Sequence, residues 1–218
     1  MNIKKIVSVF LGLVLVPPLA LSQESLDHNI FYIHQGEGVD PWELSLQFGQ
    51  VLLEEKRGAT VKNSLVAEPA AHDTENDAIR FTWNKRKVLT EWGGQNEAVS
   101  TVTLTNKAGA IDLAGVKDQV ALVLDIRIID RPSDHVTLSL ESNWDWKTRA
   151  SIPLKSVLRR LPKKEWFSLP LPLQCFKGGD LDFGKLTSMM QLHTDGNLEL
   201  EISSARLAAF PPEQVTCH

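Results

Sequence analysis

Short runs in which apolar and polar side chains alternate with a period of two recur along the chain. The strongest spans Val120 to Ile128, with Val120, Leu122, Leu124, Ile126 and Ile128 on one side and Ala121, Val123, Asp125 and Arg127 on the other. That period belongs to a strand with one face in a core. The same reading predicts strands at 30–34 and 42–48, the second with Trp42, Leu44, Leu46 and Phe48 against Glu43, Ser45 and Gln47. It predicts others near 59–67, at 136–140, 150–154, 167–173, 188–194 and 197–207, with residues 68–77 as a polar loop. Pro170 and Pro172 on one face of the 167–173 run place that strand at an edge or a bulge. Lys155 to Leu161 reads as one short helical turn stopped by Pro162.

The stretch from Ala78 to Thr105 carries the most distinctive pattern. Ile79, Phe81 and Trp83 share one face opposite Arg80 and Thr82, and further on Ala98, Val102 and Leu104 share one opposite Thr101 and Thr103. Between them Trp92-Gly93-Gly94-Gln95-Asn96-Glu97 sets an indole beside two glycines, two amides and a carboxylate. Such a loop suits either a ligand contact or a sharp turn with the indole as a core plug. About ten short strands with turn signals between them, and almost no helix, predict an all-β, two-sheet antiparallel β-sandwich.

Composition changes this picture at the N-terminus. Lys4 and Lys5 precede an apolar run from Ile6 to Val16, a Pro17-Pro18 break and Ala20-Leu21-Ser22 before Gln23. This is the layout of a cleaved signal peptide over 1–22, the alternative being an uncleaved membrane anchor. The chain then divides into a flexible lead-in at 23–29, one sandwich domain at 30–210 and a tail at 211–218. No later stretch is long and apolar enough for a membrane span. Export predicts a periplasmic or secreted protein, and no cysteine follows the cleavage site to take a lipid.

The formal charge is −4, and losing Lys4 and Lys5 makes the remainder more acidic still. Sequence-independent nucleic-acid binding needs a basic surface, so a nucleic-acid partner is not expected. The two cysteines, Cys175 and Cys217, allow a disulfide in an oxidising compartment; closing a loop of about 40 residues would stabilise the fold by roughly 4 kcal/mol in the chain-entropy model. The alternative is a buried thiol at Cys175 and a frayed terminus at Cys217.

For catalysis the chain offers no G-x-S-x-G, H-E-x-x-H, P-loop or Cys-x-x-Cys motif. Its six histidines are scattered singly. A carboxylate pair for glycoside hydrolysis could in principle be drawn from Glu91, Glu97, Glu141 and Asp145, though with 27 acids in the chain some lie close by chance. For binding it offers more. Sugars are gripped by flat aromatic faces and by amides and carboxylates that reach their hydroxyls. Trp144 and Trp146 are two apart, so an extended segment would project both indoles to one side, with Asn143, Asp145, Lys147 and Arg149 around them. Trp92, Gln95, Asn96 and Glu97 form a second cluster. Trp42, Trp83 and Trp166 occupy positions that read as core.

Taken in order, AIRFTWN, WGGQNEAVSTVTL, AIDLAG, VALVLDIRI, RPSDHVTLSLES, EWFSLPLPLQCF and LELEISSARLA resemble a known family. They are similar to the galactose-binding-like, ExoP-type module at the C-terminus of bacterial exo-β-glucosidases and β-glucan glucohydrolases of glycoside hydrolase family three. The likeness runs from about Trp42 to Leu207. It implies a jelly-roll sandwich and a non-catalytic role beside a carbohydrate-active domain. The family's catalytic barrel lies outside the matching stretch, so hydrolase activity is not carried over. Such modules often carry cysteines in the loop that here reads Glu141-Ser142-Asn143-Trp144-Asp145-Trp146, so their disulfide pattern does not transfer. They also often hold a structural calcium, for which Asp130, Asp134 and Asp145 show no recognisable loop; no cofactor is expected.

The resulting expectation is a non-catalytic carbohydrate-binding module of the cell envelope, recognising a β-glucan-like oligosaccharide or envelope glycan. A periplasmic protein-interaction module, docking a protein or a glycosidase through the same aromatic loop, is the alternative. A cryptic glycoside hydrolase is the third.

Overall fold

The computed structural model describes residues 26–85, 97–214 and 217. The signal segment and the residues Trp92, Gln95 and Asn96 therefore lie outside the described residues. The strands are β1 (Phe31–His34), β2 (Glu37–Gly38), β3 (Trp42–Leu46), β4 (Val51–Leu52), β5 (Gly58–Ala59), β6 (Leu65–Ala70) and β7 (Ala78–Trp83). They continue as β8 (Thr101–Asn106), β9 (Val120–Asp130), β10 (Val136–Ser142) and β11 (Ala150–Pro153); after the short helix α1 (Lys155–Arg160) come β12 (Trp166–Pro172), β13 (Leu186–Thr194) and β14 (Leu198–Ala209).

Among the described residues these strands form two antiparallel sheets. The first runs β12-β9-β14-β7-β6-β5, with β1 and β2 attached beside β14; the second runs β11-β10-β13-β8-β3-β4. The apolar faces of the two close on one core. Phe81, Trp83, Leu122, Ile126, Ile128 and Ile202 come from the first sheet, and Leu46, Val102, Leu104, Leu138, Leu140 and Met190 from the second. β7 and β8 lie in different sheets.

Alternation placed most strands well because their inward residues have nowhere else to go. Leu122, Leu124, Ile126 and Ile128 are all buried on β9, and β12 with its two prolines is an edge strand, where a missing N–H costs no ladder bond. Residues 59–70 differ from expectation. The chain turns at Thr60, whose Oγ1 accepts from Leu65 N (3.0 Å) and donates to Val99 O (2.8 Å). Lys62 and Asn63 take left-handed backbone in that turn. β6 then runs on through Glu68 and Pro69, which pair with Arg80 and Ile79, so part of the expected polar loop is strand.

Trp166 is the second correction. Its register partner is Arg127, which puts it on the outer face of the first sheet, while Phe167 pairs with Ile126. The ring is only part-buried there, under the Arg127 guanidinium at 4.9 Å and against His72 at 4.4 Å. Trp42 and Trp83 are core, at 3% and 2% exposure.

Beyond β6, Asp77 holds the connection to β7. Its carboxylate accepts the backbone N–H groups of His72 (2.6 Å), Asp73 (2.9 Å) and Thr74 (2.7 Å). Burial alone would raise its pKa, but these three donors outweigh it and hold the carboxyl well below the usual carboxylate range. A depressed folded-state pKa gives stability that is fully present above the unfolded value of about 3.9 and is lost as pH falls through the folded one. Asp77→Asn is therefore expected to destabilise the protein at neutral pH, with the gap to wild type narrowing in the acid limb below about pH 4; urea unfolding at stepped pH measures it.

Cys175 ends a 3₁₀ turn after β12 and is bonded to Cys217, with Cα atoms 5.3 Å apart. The bond ties that connection to the segment beyond β14. Cys175→Ser with Cys217→Ser is expected to lower unfolding stability by about 2–3 kcal/mol in guanidinium titrations.

Candidate functional site

The outer face of the second sheet carries a row of polar side chains across neighbouring strands. Ser151 on β11 pairs with Ser139 on β10, Ser139 with Gln191 on β13, Gln191 with Thr103 on β8, and Thr103 with Ser45 on β3. Directly paired residues point to the same side of a sheet, so all five share one face. Ser45, Thr103 and Gln191 form the floor of a cleft of about 510 Å³, with Glu141, Thr105 and Asn106 beside them and Phe48, Lys107, Trp144, Trp146 and Arg149 around its rim.

The aromatic rim is built by the β10–β11 connection. Asn143 and Trp144 both have positive φ, 56° and 52°, an uncommon conformation for a residue as bulky as tryptophan. The surroundings hold it there. Asn143 N donates to Lys185 O (3.1 Å), Trp144 N to Thr187 Oγ1 (3.0 Å), and Asp145 N to Ser142 O (3.1 Å). Thr148 Oγ1 accepts from Ser142 N (2.9 Å) and lies 2.8 Å from Ser142 O. The indoles are left 57% and 67% exposed at Trp144 and Trp146, a state that large aromatics seldom occupy without a partner.

The segment is thus a turn followed by the 3₁₀ turn Trp146–Thr148, and not the extended run that would aim both indoles by alternation. They line one cleft because the turn folds them over it. Asp145 holds the start of that 3₁₀ turn. Its Oδ1 accepts Lys147 N at 3.0 Å, capping the 3₁₀ turn, and neither it nor Asn143 lines the cleft. Arg149 does line it. Glu97 opens the 3₁₀ turn Glu97–Ser100; its side chain, with Trp92, Gln95 and Asn96, lies outside the described residues.

Glu141 anchors the polar end of the cleft. Its Oε2 accepts Arg149 Nε at 2.7 Å and Gln191 Nε2 at 3.0 Å. The guanidinium of Arg149 also lies over the Phe48 ring, 4.5 Å from its centroid. Gly179 fits against the backbone of Arg149. A Cβ there would come within 2.4 Å of Arg149 O, and φ is +60°, so only glycine suits. At the floor, the Thr103 hydroxyl is buried with no protein partner among the described residues. A polar atom in that state calls for a water or a ligand hydroxyl.

Two other constellations bear on chemistry. Ser100 Oγ lies 2.9 Å from His193 Nδ1, and His193 Nε2 lies 3.2 Å from Asp195 Oδ1. This serine–histidine–aspartate string carries no local sequence motif, and Ser100 is fully buried, whereas a nucleophile needs an open approach. His72, Asp73 and Asp77 bring potential metal ligands within 4.8 Å of one another, yet the Asp77 carboxylate is already committed to backbone N–H groups. The aspartates considered for calcium are engaged separately, Asp130 with Lys163 and Asp134 with Lys85, each at 2.8 Å.

Residues 40–207 match the family model described as galactose-binding domain-like, Exop_C. The chain belongs to that family. Among solved structures it is similar to the extra C-terminal domain (X) of the exo-1,3/1,4-β-glucanase ExoP from a Pseudoalteromonas species, at 18% identity over 86% of this chain and 96% of that one, with a TM-score of 0.59. Against the whole ExoP enzyme the identity is 19%, covering 92% of this chain but 22% of the enzyme, with a TM-score of 0.58. A family 30 carbohydrate-binding module follows at 11% identity over 83% of this chain and 98% of the module, with a TM-score of 0.53. At these identities the likeness is one of fold. No curated protein matches the sequence.

Proposed function

We propose that the protein is an exported, non-catalytic module that binds a β-glucan-like oligosaccharide or envelope glycan in the cleft on the outer face of the β11-β10-β13-β8-β3-β4 sheet. The observation that carries this reading is the pair of exposed indoles, Trp144 and Trp146, held on a pinned turn over a floor of hydroxyl and amide groups. Flat apolar faces beside convergent hydrogen-bonding groups match the two surfaces of a pyranose. Glu141 is the single carboxylate lining the cleft among the described residues, and Arg149 and Gln191 already hold it. Glycoside hydrolysis uses two carboxylates flanking the bond, so this arrangement favours holding a sugar over cleaving it.

Titration calorimetry of the purified protein with soluble β-1,3- and β-1,4-linked gluco-oligosaccharides tests the reading. Saturable binding to either is expected, with no release of reducing sugar. Retention on a protein partner that free sugar does not displace would instead favour the docking reading.

A further inference from the structure

Every charge lining the cleft has an opposite charge within hydrogen-bonding distance. Arg149 Nε and Glu141 Oε2 are 2.7 Å apart, and Lys107 Nζ and Glu43 Oε1 are 2.7 Å apart. The remaining lining groups are hydroxyls, amides, a glycine and aromatic rings. We propose that Glu141, by neutralising Arg149 and fixing Gln191, is the specificity-determining residue that sets the cleft for an uncharged sugar chain and against a uronic-acid one. This rests on the reading of the cleft as a glycan site.

The geometry explains the selectivity. Through one oxygen Glu141 holds the side chains of both Arg149 and Gln191, each of which retains further polar atoms. Among the described residues, no protein partner takes the terminal amino groups of Arg149, the Gln191 carbonyl, Glu141 Oε1 or the Thr103 hydroxyl. Donors and acceptors in that mixture suit sugar hydroxyls, which do both. A carboxylate entering the cleft would meet the Glu141 charge at short range, in a part-buried setting where like charges repel strongly. Without Glu141 the same Arg149, still stacked on Phe48, becomes an unpaired cation well suited to a carboxylate.

The test is Glu141→Gln, with affinities measured by calorimetry for a neutral β-linked glucose hexamer and a β-linked glucuronic acid hexamer. Wild type is expected to favour the neutral chain by about tenfold or more, and E141Q to lose about tenfold for it while gaining for the anionic chain, the gain vanishing in high salt. An unchanged preference ratio in E141Q, or a wild type that prefers the glucuronate, overturns the proposal. If the neutral chain still binds wild type and depends on Trp144 and Trp146, the cleft reading stands when the proposal falls. If that binding ignores both indoles, or is absent, the cleft reading fails and takes the proposal with it. Should E141Q not fold, Arg149→Gln decides: with Glu141 left bare the ratio must move further against the anionic chain, and a static ratio is fatal.

Discussion

Replacing Trp144 and Trp146 together by alanine is expected to weaken binding of a soluble β-linked gluco-oligosaccharide by at least about a hundredfold, while the unfolding midpoint stays where it is. Truncating an aromatic that anchors a ligand typically costs about 2 kcal/mol or more, and two such losses on one ligand reach beyond about 3 kcal/mol. Stability is a separate matter. Both indoles are mostly in solvent, and substitutions at such positions usually move stability by no more than about 0.5 kcal/mol. The two single variants should each lose about thirtyfold. Calorimetry beside thermal melts separates the effects; unchanged affinity in the double variant would place the glycan elsewhere.

The largest loss of stability is expected at Glu201. This glutamate sits on the outer face of the first sheet and is nonetheless fully buried, because two arginines close over it. Its Oε1 accepts Arg80 Nε (2.9 Å) and Nη2 (2.6 Å), and its Oε2 accepts Arg127 Nε. Arg127 in turn donates to Ala71 O at 3.0 Å and covers Trp166. Removing the carboxylate leaves two converging cations facing each other across a void. Breaking such a pair costs about 3–5 kcal/mol, and the lower end applies because the Arg80 and Arg127 side chains are 37% and 24% exposed and water screens part of the charge. In guanidinium titrations Glu201→Ala should therefore lose about 3 kcal/mol of stability, with Glu201→Gln intermediate. A loss under about 1 kcal/mol would mean that solvent, and not Glu201, satisfies the arginines.

Much of the sandwich is legible in the chain because its strands are long enough for alternation to show. Leu122 to Ile128 and Leu198 to Ile202 bury their apolar side, as the pattern requires, while Glu201 is buried on the opposite face by its arginines. The failures have local causes. The turn at Thr60 depends on a hydroxyl reaching Val99, far along the chain, and Glu68 reads as loop until Arg80 is placed beside it. Trp166 reads as core because large aromatics usually are, whereas its ring is covered from outside by Arg127 and His72.

The cleft divides in the same way. Its aromatic rim can be read from Trp144 and Trp146 among polar neighbours. Its floor cannot, since Ser45, Thr103 and Gln191 look like any outward positions until β3, β8 and β13 lie side by side. Glu141 stands out in the sequence only as a carboxylate, and its role as the hub of Arg149 and Gln191 needs the β10–β13 pairing.

The left-handed backbone at Asn143 and Trp144 bears on the thermodynamics of recognition. The turn is fastened through Lys185 and Thr187, at the start of the central strand β13, and not to the edge of the sheet alone. Loops that order only when a ligand arrives lose conformational entropy at that moment, and their affinity falls accordingly. Here the ordering is done during folding, so a sugar bound as proposed would meet the indole platform already set, and the free energy of stacking would go into affinity with little deducted for immobilising the loop.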